Sequence, residues 1–428
     1  MSELALLGGE PIIKDSFKPY KSIGEKEKSA VMEVMDSGCI SGFYGSWNDK
    51  FWGGEKVQEF EKKWAQKFKA KYAISVNSNT SGLYASMAAI GISPADEVII
   101  SPYTMSATAM APLGYGAVPV FADIENKTFG LDPDCVRKAI SLRTKAILVT
   151  NIFGHAARLK ELKAIADEHG IYLIEDNAQA PLGTDDGQYC GTIGHIGVFS
   201  LNYHKHIHTG EGGICTTDDD DLAQRLAMVR NHAEAVAEPS GIDDLTNMFG
   251  HNFRMTELSA AIGLAQLDDI ELHVGRREKL SQTLSKAAGE IDGVTSPHVR
   301  DNCRHVYYVW AAKIDSDVLG VSREVFSKAL AAEGLPNFEG YLAPLYMLPI
   351  FQKRIAMGRD GFPFNGSDVE YKQGMCSVVE DMKYNKMLGF EPCIYDISDC
   401  ELLLIQDVFS KLQENMGALK DYEYKEAS

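Results

Sequence analysis

The sequence predicts an α/β protein: a large domain with a mostly parallel sheet sandwiched by helices, followed by a smaller C-terminal α/β domain. Its length of 428 residues exceeds that of one ordinary core, so about two or three domains are expected. Short apolar strands alternate with helical patterns between residues 72 and 217, which implies right-handed crossovers and parallel strands. Past about Gln266 the alternation gives way to one long helix and a shorter α/β unit.

Each element is predicted from its own pattern. An apolar face with helical spacing predicts a helix over 55–70. Asp132 and Pro133 suit the cap and the first residue of a helix. The predicted strands are 72–76, 97–101, 118–123, 145–150, 171–178, 198–202, 212–217 and 307–314. The further predicted helices are 83–92, 104–114, 132–140, 158–170, 218–233, 265–287 and 322–334.

Residues 353–376 are rich in Gly, Arg and Phe and have no period, which predicts a long loop. Such a loop in a compact protein is either functional or a surface insertion. If it is functional, Arg354 and Arg359 are candidates for contact with a carboxylate or a phosphate. The stretch 46–52, SWNDKFW, is a second candidate for substrate recognition, with folding over a dimer seam as the alternative.

The charge balance argues against two classes of partner. Lys and Arg number 42 against 60 Asp and Glu, a net charge of −18. Such a chain is not expected to bind nucleic acid or anionic membranes non-specifically. The N-terminus has no signal-peptide pattern, and no apolar window is long enough to span a bilayer. We therefore expect a cytoplasmic protein.

Eight scattered cysteines without a C-x-x-C pair predict free thiols. The stretch NYHKHIHTGEGG, 202–213, places His204, His206 and His208 around Lys205. On a strand the histidines would share one face, with the outer two roughly 13 Å apart. Metal ligands lie about 2 Å from their ion, so these histidines predict polar residues beside a cleft and no metal site.

Lys205 is instead a candidate to hold an aldehyde cofactor. Pyridoxal phosphate requires a lysine, an acid facing its ring nitrogen, a donor near its phenolic oxygen and a cradle for its phosphate. Asp176 ends a predicted strand, where ligands bind in α/β sheets, and Gln179 follows it. The turn SNTSG offers hydroxyl groups and backbone amides for the phosphate, and Ser200 adds another hydroxyl.

Three motifs in order resemble the DegT/StrS family of sugar aminotransferases, which have the fold-type-I pyridoxal phosphate architecture. They are IEDNAQA, FSLNYHKHIHTGEGG and GHNFRMTEL. The resemblance covers nearly the whole chain. It implies an N-terminal arm over 1–50, a large cofactor-binding domain over 51–265 and a small C-terminal domain over 266–428.

The resemblance also implies roles for individual residues. Lys205 would attach the cofactor covalently and then move protons, Asp176 would pair with the ring nitrogen, and Gln179 would contact the phenolic oxygen. Thr80, Ser81 and Ser200 would bind the phosphate, and Asn252 would reach the phosphate site of the neighbouring subunit in a homodimer with shared active sites.

Two positions depart from the family pattern. Met105 stands where the family has an aromatic residue stacked on the cofactor, so either Met105 or Tyr103 is the candidate for that contact. Pro181 replaces a histidine beside the acid motif. A dehydratase branch of the family has His at the lysine position, and Lys205 therefore favours amino transfer over deoxygenation.

The predicted reaction moves an amino group from L-glutamate to a keto or aldehyde sugar in two half-reactions. The first acceptor we predict is an 8-oxo-3-deoxy-octulosonate in lipopolysaccharide sugar biosynthesis. A nucleotide-linked keto sugar, as in perosamine formation, or a cyclitol is the alternative. A non-catalytic regulatory protein that binds pyridoxal phosphate is a further alternative, which the intact set of Lys205, Asp176 and Gln179 argues against.

Overall fold

The helices and strands follow the predicted alternation. The computed structural model describes residues 3–426. The α-helices are α1 (Glu25–Ser37), α2 (Glu55–Phe68), α3 (Asn79–Ala89), α4 (Ala107–Leu113), α5 (Pro133–Ala139), α6 (Leu159–His169), α7 (Asp220–Arg230), α8 (Ala233–Ser240), α9 (Glu257–Asp268), α10 (Ile270–Ala288), α11 (Ser316–Leu319), α12 (Arg323–Ala332), α13 (Pro349–Gln352), α14 (Ser377–Asp381), α15 (Asp399–Glu414) and α16 (Met416–Glu426). The strands are β1 (Lys18–Pro19), β2 (Tyr72–Val76), β3 (Glu97–Ile100), β4 (Val118–Phe121), β5 (Thr144–Thr150), β6 (Tyr172–Asp176), β7 (Thr184–Asp185), β8 (Gln188–Tyr189), β9 (Ile196–Ser200), β10 (Gly213–Thr217), β11 (Val294–Thr295), β12 (Trp310–Ile314), β13 (Phe338–Glu339), β14 (Met387–Phe390) and β15 (Tyr395–Asp396).

A seven-stranded sheet forms the centre of the large domain, in the order β2-β10-β9-β6-β5-β3-β4. The five strands from β9 to β4 are parallel. Strand β10 runs antiparallel to both of its neighbours, β9 and β2, so β2 has the same direction as those five. The prediction of a mostly parallel sheet is confirmed. Because parallel strands end at one edge, this order brings the ends of β5, β6 and β9 together.

Helices cover both faces of this sheet, as the apolar residues of its strands require. In β3, Val98 and Ile100 pack into one apolar cluster, which contains Leu83 of α3. The intervening Ile99 packs into a second cluster with Leu162 of α6. Successive side chains of one strand thus bury against opposite helical layers.

A smaller antiparallel sheet, in the order β11-β12-β14-β13, belongs to the C-terminal part of the chain. Helix α10 joins the two parts: Val274 packs in the second cluster and Leu284 in a third. The N-terminal residues Leu4 and Phe17 also pack in this third cluster. The predicted domain boundaries, 1–50, 51–265 and 266–428, stay predictions.

The structure corrects the predicted helix over 265–287, which is two helices. Helix α9 ends at Asp268, and Asp269 between the helices has a φ of −101° and a ψ of 7°. Two adjacent aspartates favour a helix end because their side chains compete for backbone hydrogen bonds. Lys26 forms an ion pair with Asp269 at 2.6 Å.

The predicted loop 353–376 contains little regular structure but buries aromatic residues. Tyr371 contacts Phe121 of β4 with ring centroids 5.6 Å apart, and it contacts Phe364 with ring centroids 5.5 Å apart. The guanidinium of Arg354 donates to the backbone carbonyls of Phe364, Val369 and Ser367. Arg354 therefore folds this segment, and its predicted contact with an anionic substrate is wrong in this structure.

The structure of residues 3–426 also bears on membrane insertion and on the state of the cysteines. Across residues 3–426, no helix combines the length and the apolar character needed to cross a membrane. All eight cysteines are free thiols, as predicted.

Candidate active site

A cavity of about 240 Å³ lies where β5, β6 and β9 end. Six of the predicted site residues line it, namely Thr80, Met105, Asp176, Gln179, Ser200 and Lys205. A larger, open groove of about 900 Å³ runs along α2 and the edge strand β2. That groove contains none of the predicted cofactor residues, so the smaller cavity is the candidate active site.

Helix α3 points its first turn at this cavity. Ser78 caps the helix, since its Oγ accepts the Ser81 amide at 3.0 Å, and Thr80 lines the cavity. The predicted turn SNTSG is thus the start of the helix. First-turn amides have no partner within their helix, and such amides form an anion site together with the helix dipole. Ser81 does not line the cavity, because its hydroxyl donates to Asn77 at 2.6 Å.

Gly213 allows this helix start to lie against β10. A Cβ at Gly213 would stand 2.5 Å from the Ser78 carbonyl carbon and 2.6 Å from the Asn79 nitrogen. Both contacts are with backbone, which cannot move away as a side chain can. The glycine of the GEGG run therefore positions the anion-binding turn.

Asp176 is the last residue of β6 and is almost fully buried. Its carboxylate accepts hydrogen bonds from the Thr108 hydroxyl at 2.9 Å and from Asn79 Nδ2 at 3.3 Å. Burial raises the pKa of Asp176, while these hydrogen bonds and the charge of Lys205 act in the opposite direction. A buried carboxylate of this kind requires a positive partner to stay ionised.

Lys205 lies in the turns between β9 and β10, with its amide donating to the Asn202 carbonyl at 2.9 Å. Burial lowers the pKa of Lys205 to about 8, against the opposing charges of Asp176, Cys393 and Glu391. Its Nζ lies 4.0 Å from the ring centroid of Tyr308. A large fraction of this amine is therefore neutral near pH 8, as a nucleophilic lysine requires.

The three histidines do not share a face, because 201–212 forms turns rather than a strand. His204 lines the cavity, and burial together with the charge of Lys205 lowers its pKa to about 4. His206 is buried, with its Nε2 2.7 Å from the Val306 carbonyl, whereas Nδ1 of His208 accepts the Gly210 amide. In the part of the chain that is described, no three metal-ligating side chains come together.

Gln179 is held in one orientation. Its Oε1 accepts the Phe153 amide at 2.7 Å, which fixes its Nε2 toward the hydroxyl of Tyr341 at 3.2 Å. The donor end of the amide thus faces the cavity. Tyr103 supports Tyr341 from behind, since its hydroxyl accepts the Tyr341 amide at 2.8 Å. Tyr103 is buried and does not line the cavity, whereas Met105 lines it and is 56% exposed.

Sequence reasoning missed Tyr308 and Tyr341, which both line the cavity. Tyr308 lies on a loop that crosses the large domain. In this loop the Val306 amide donates to the Gly154 carbonyl at 2.9 Å. A Cβ at Gly154 would lie 2.7 Å from the Tyr307 nitrogen, so this crossing depends on glycine. Nothing local distinguishes these tyrosines from core tyrosines, because the packing of the two domains alone brings them to Lys205.

Two further predicted elements lie away from this cavity. Asn252 is exposed, and its Oδ1 accepts Arg254 Nε at 2.8 Å. In the stretch 46–52, Phe51 is buried and Trp47 packs against Trp52 with ring centroids 5.5 Å apart. Neither lines the cavity of its own protomer.

The residues present fit pyridoxal phosphate. The first turn of α3 suits the phosphate, buried Asp176 suits a protonated ring nitrogen, and Lys205 suits the aldehyde. The buried Asn202 Oδ1, which has no hydrogen-bond partner among the described residues, adds an acceptor beside them. When bound, the cofactor supplies a carbonyl that accepts amino groups and a ring that withdraws electrons.

Comparison with known proteins identifies relatives along most of the chain. The spore coat polysaccharide biosynthesis protein SpsC of Bacillus subtilis is 34% identical over 358 residues, which covers 82% of this chain and 89% of the relative. A GDP-perosamine synthase of Caulobacter vibrioides is 33% identical, with 76% and 83% covered. An L-glutamine:2-deoxy-scyllo-inosose aminotransferase of Streptomyces kanamyceticus is 31% identical, with 83% and 85% covered.

A solved structure agrees with these relatives. The aminotransferase from Psychrobacter cryohalolentis superimposes with a TM-score of 0.81 at 26% identity, covering 94% of this chain and all of the other. The model of the DegT/DnrJ/EryC1/StrS aminotransferase family matches residues 22–367. The chain therefore belongs to this family of pyridoxal-phosphate-dependent enzymes, and it is a sugar aminotransferase.

Proposed function

We propose that this enzyme transfers the amino group of L-glutamate to a carbonyl carbon of a nucleotide-linked keto sugar. The observation that carries the proposal is the shared cavity of Lys205, Asp176 and the open first turn of α3. The cavity brings together a helix start that suits a phosphate, a partly neutral amine and a buried acid. An amino transfer needs these three functions.

Each residue has a defined task in this proposal. Lys205 carries a proton between the substrate carbon and the cofactor, which a depressed pKa near the working pH favours. Asp176 holds the ring nitrogen protonated, and Nε2 of Gln179 donates toward the phenolic oxygen. Thr80 and Ser200 bind the phosphate. Ser81 contributes through the cap of α3 rather than by direct contact.

The relatives guide the choice of acceptor. GDP-perosamine synthases from three bacteria are 31 to 34% identical to this chain, which supports a nucleotide-linked sugar. The predicted 8-oxo-3-deoxy-octulosonate, with its role in lipopolysaccharide synthesis, has no such support and becomes the second acceptor to test. A cyclitol is the third, since the Streptomyces relative is named for an inosose and for L-glutamine as its donor.

We further propose a cytoplasmic homodimer with active sites shared between subunits. Exposed apolar side chains near the cavity support it: Met105 is 56% exposed, and Tyr203, beside His204, is 69% exposed. Phe249, next to the GHNFRM motif, is 52% exposed. Exposed apolar side chains mark a protein interface where they form a contiguous patch. Asn252, exposed in its own protomer, would then reach the neighbouring phosphate site.

The first experiment separates an enzyme from a cofactor-binding regulator. The purified protein is expected to show a visible absorption band that L-glutamate removes, and borohydride is expected to fix the cofactor on Lys205. The Lys205→Ala variant should fold but lose turnover, whereas Lys163→Ala, a surface control on α6, should keep it. Continued turnover in Lys205→Ala would disprove the assignment of this lysine.

The second experiment identifies the substrates. Single-turnover reactions with L-glutamate and L-glutamine show which donor converts the cofactor. The aminated protein is then offered a nucleotide-linked 4-keto sugar, an oxidised octulosonate and an inosose, and the return of the visible band is followed. Return with the inosose alone, or with the octulosonate alone, would contradict the proposed acceptor without affecting the aminotransferase assignment.

A further inference from the structure

Several polar side chains in the lining of the active-site cavity make no hydrogen bond to another described residue. They are Thr80, His204, Lys205 and Tyr308. Other polar residues of the lining are paired; the side-chain amide of Asn202, for example, donates to the Glu211 carboxylate at 2.9 Å. Thr80 and Lys205 have tasks in the proposed reaction, and the Tyr308 ring lies against Lys205. The imidazole of His204 is a polar group of this cavity that the proposed reaction has not used.

Aromatic contacts hold the His204 ring and leave its nitrogens free. The ring of Tyr203 meets it edge-on with centroids 4.9 Å apart, and the ring of Tyr308 lies at 6.1 Å. Lys205 Nζ is 4.0 Å from the centroid of the same Tyr308 ring. The imidazole and the reactive amine therefore flank one aromatic ring. Tyr308 is only 7% exposed, whereas His204 is half-buried, so the imidazole is the more accessible of the two to a substrate.

The charge state of His204 determines which ligand it suits. Burial, together with the positive charge of Lys205, lowers the pKa of His204 to about 4, while the carboxylate of Glu211 acts in the opposite direction. The imidazole is therefore neutral at any pH at which Lys205 acts as a nucleophile. A neutral imidazole offers one N–H donor and one acceptor nitrogen, which match a hydroxyl group. A carboxylate or a phosphate binds better to a cation.

Only one of the two substrates of the proposed reaction has a hydroxyl group beside its reacting carbon. Glutamate carries a carboxylate and an aliphatic side chain on that carbon, whereas a keto sugar carries a hydroxyl group on a carbon next to its carbonyl. The reacting carbon of either substrate must come within about 3–3.5 Å of the group that acts on it, here Lys205 Nζ. His204, the neighbour of Lys205 in the chain, is then placed to meet a hydroxyl group of the sugar and finds none on glutamate.

We propose that the His204 imidazole binds a hydroxyl group on the carbon next to the reacting carbonyl of the acceptor, and so selects a hydroxylated keto sugar. This rests on the proposed function, since it requires a carbonyl acceptor. It does not depend on the nucleotide, because an inosose has the same pair of groups. A site built to bind a hydroxyl group disfavours an analogue that lacks it, since the polar group of the site then has no partner.

The acceptor half-reaction of the aminated holoenzyme tests this contact. Two probes are compared: the nucleotide-linked 4-keto sugar, and its 3-deoxy analogue, which lacks the hydroxyl group next to the carbonyl. The second-order rate constant of the wild type should be about tenfold lower for the analogue, as expected for the loss of one hydrogen bond. In His204→Phe, which keeps a ring but has no ring nitrogen, the two probes should react alike. His169→Phe, an exposed control at the end of α6, should keep the tenfold ratio.

Two further measurements separate recognition of the acceptor from other roles of His204. The conversion of the cofactor by L-glutamate should proceed in His204→Phe at the wild-type rate. Its pH dependence between about pH 6 and 9 should also be unchanged, because the imidazole is neutral there. His204→Gln, which offers a donor and an acceptor again, should recover part of the ratio. Equal rates with the two probes in the wild type, an unchanged ratio in His204→Phe, or a slower glutamate half-reaction in that variant would overturn the proposal.

A wrong choice of acceptor gives a different result. The wild type would then be aminated by its donor but would react with neither nucleotide-linked probe, which contradicts the proposed function and not the contact of His204. The inosose or the oxidised octulosonate, each with its own analogue deoxygenated next to the carbonyl, then replaces the first pair of probes. The ratio of the two rates in the wild type and in His204→Phe decides the role of His204 in the same way.

Discussion

Lys205 and Asp176 share a cavity in which burial acts on their pKa values in opposite directions. It lowers the pKa of the lysine to about 8 and raises that of the aspartate. Both changes favour the neutral forms, whereas the attraction between the two groups resists them. A protonated ring nitrogen facing Asp176 would keep the aspartate ionised and leave Lys205 free to act as an amine.

The Tyr308 ring, 4.0 Å from Lys205 Nζ, attracts the ammonium form and therefore raises the pKa of the lysine. In Tyr308→Leu this attraction is lost, and the pKa should fall by about half a pH unit. The measurement is the rate at which the apo-protein takes up pyridoxal phosphate as a function of pH. In the wild type this rate should rise with pH and level off above about 8.

Tyr308→Phe is the matched control, since it keeps the ring and should keep the wild-type profile. A profile that moves equally in both variants would contradict the role of the ring.

The lowered pKa of Lys205 also makes the stability of the apo-protein depend on pH. The folded-state pKa lies below the unfolded value, so the unfolded chain binds more protons between them. The destabilisation by Lys205 is present below pH 8 and is relieved as the pH rises above it.

The start of α3 shows how a local sequence signal and a tertiary contact combine. Serine is a favoured N-cap residue, and Ser78 caps α3 in the structure, which begins the helix at Asn79 rather than at the predicted residue 83. Its approach to β10, however, depends on Gly213, which lies far away in the sequence. The anion-binding turn thus needs both a capping serine and a glycine on the neighbouring strand.

Gly213→Ala should displace this turn, because its Cβ would stand 2.5 Å from the Ser78 carbonyl carbon. We expect a loss of roughly 1–3 kcal/mol in the free energy of unfolding, as for other overpacked sites. The affinity for pyridoxal phosphate should fall by at least about tenfold, since the phosphate amides move. Urea unfolding of the apo-protein and a cofactor titration measure the two effects separately.

Gly275→Ala provides the control for this substitution. Gly275 lies inside α10 with nothing within 4 Å of an added Cβ, so alanine should stabilise the helix by up to about 1 kcal/mol. Its cofactor affinity should stay unchanged. Weaker cofactor binding in Gly275→Ala as well would show that the effect of Gly213→Ala is not specific to the turn.

The N-terminal arm is attached to the small domain through Glu333 and Lys411. Glu333 accepts the Ala5 amide at 2.8 Å and the Ile12 amide at 3.1 Å. Lys411, which is buried beside it, pairs with Glu333 at 2.9 Å and donates to the Glu10 carbonyl at 2.8 Å. One buried ion pair therefore holds the arm against α15 and the C-terminal end of α12.

Glu333→Gln should weaken this attachment strongly, because it leaves Lys411 as a buried cation without a charged partner. Breaking a buried pair in this way costs roughly 3–5 kcal/mol. We expect that loss in urea unfolding and faster proteolysis within residues 3–20. Glu414→Gln, an exposed position on α15, should change neither. Normal stability of Glu333→Gln would show that the arm is held by its apolar contacts alone.

Subunit complementation tests whether active sites are shared. Lys205→Ala and Asn252→Ala should each be inactive or severely impaired. If Asn252 serves the neighbouring subunit, a hybrid dimer carries both defects in one site and none in the other. Unfolding and refolding an equal mixture should then restore about a quarter of the wild-type activity. A mixture that regains nothing, while sedimenting as a dimer, would place Asn252 in its own site.

Local patterns in the sequence predicted the alternating strands and helices, the start of α5 at Asp132 and Pro133, and the lysine and acid motifs. These features depend on neighbouring residues: periodicity, capping and the position of a polar residue at a strand end. The resemblance to the family added roles for Lys205, Asp176 and Gln179, and the structure brings their side chains into one cavity.

Such local patterns could not predict contacts between distant segments of the chain. Tyr308 and Tyr341 reach Lys205 through the packing of the small domain, Arg354 folds its own segment instead of facing a substrate, and the three histidines diverge in a loop. Short-range sequence order sets which elements form, whereas burial and long-range packing decide which side chains meet.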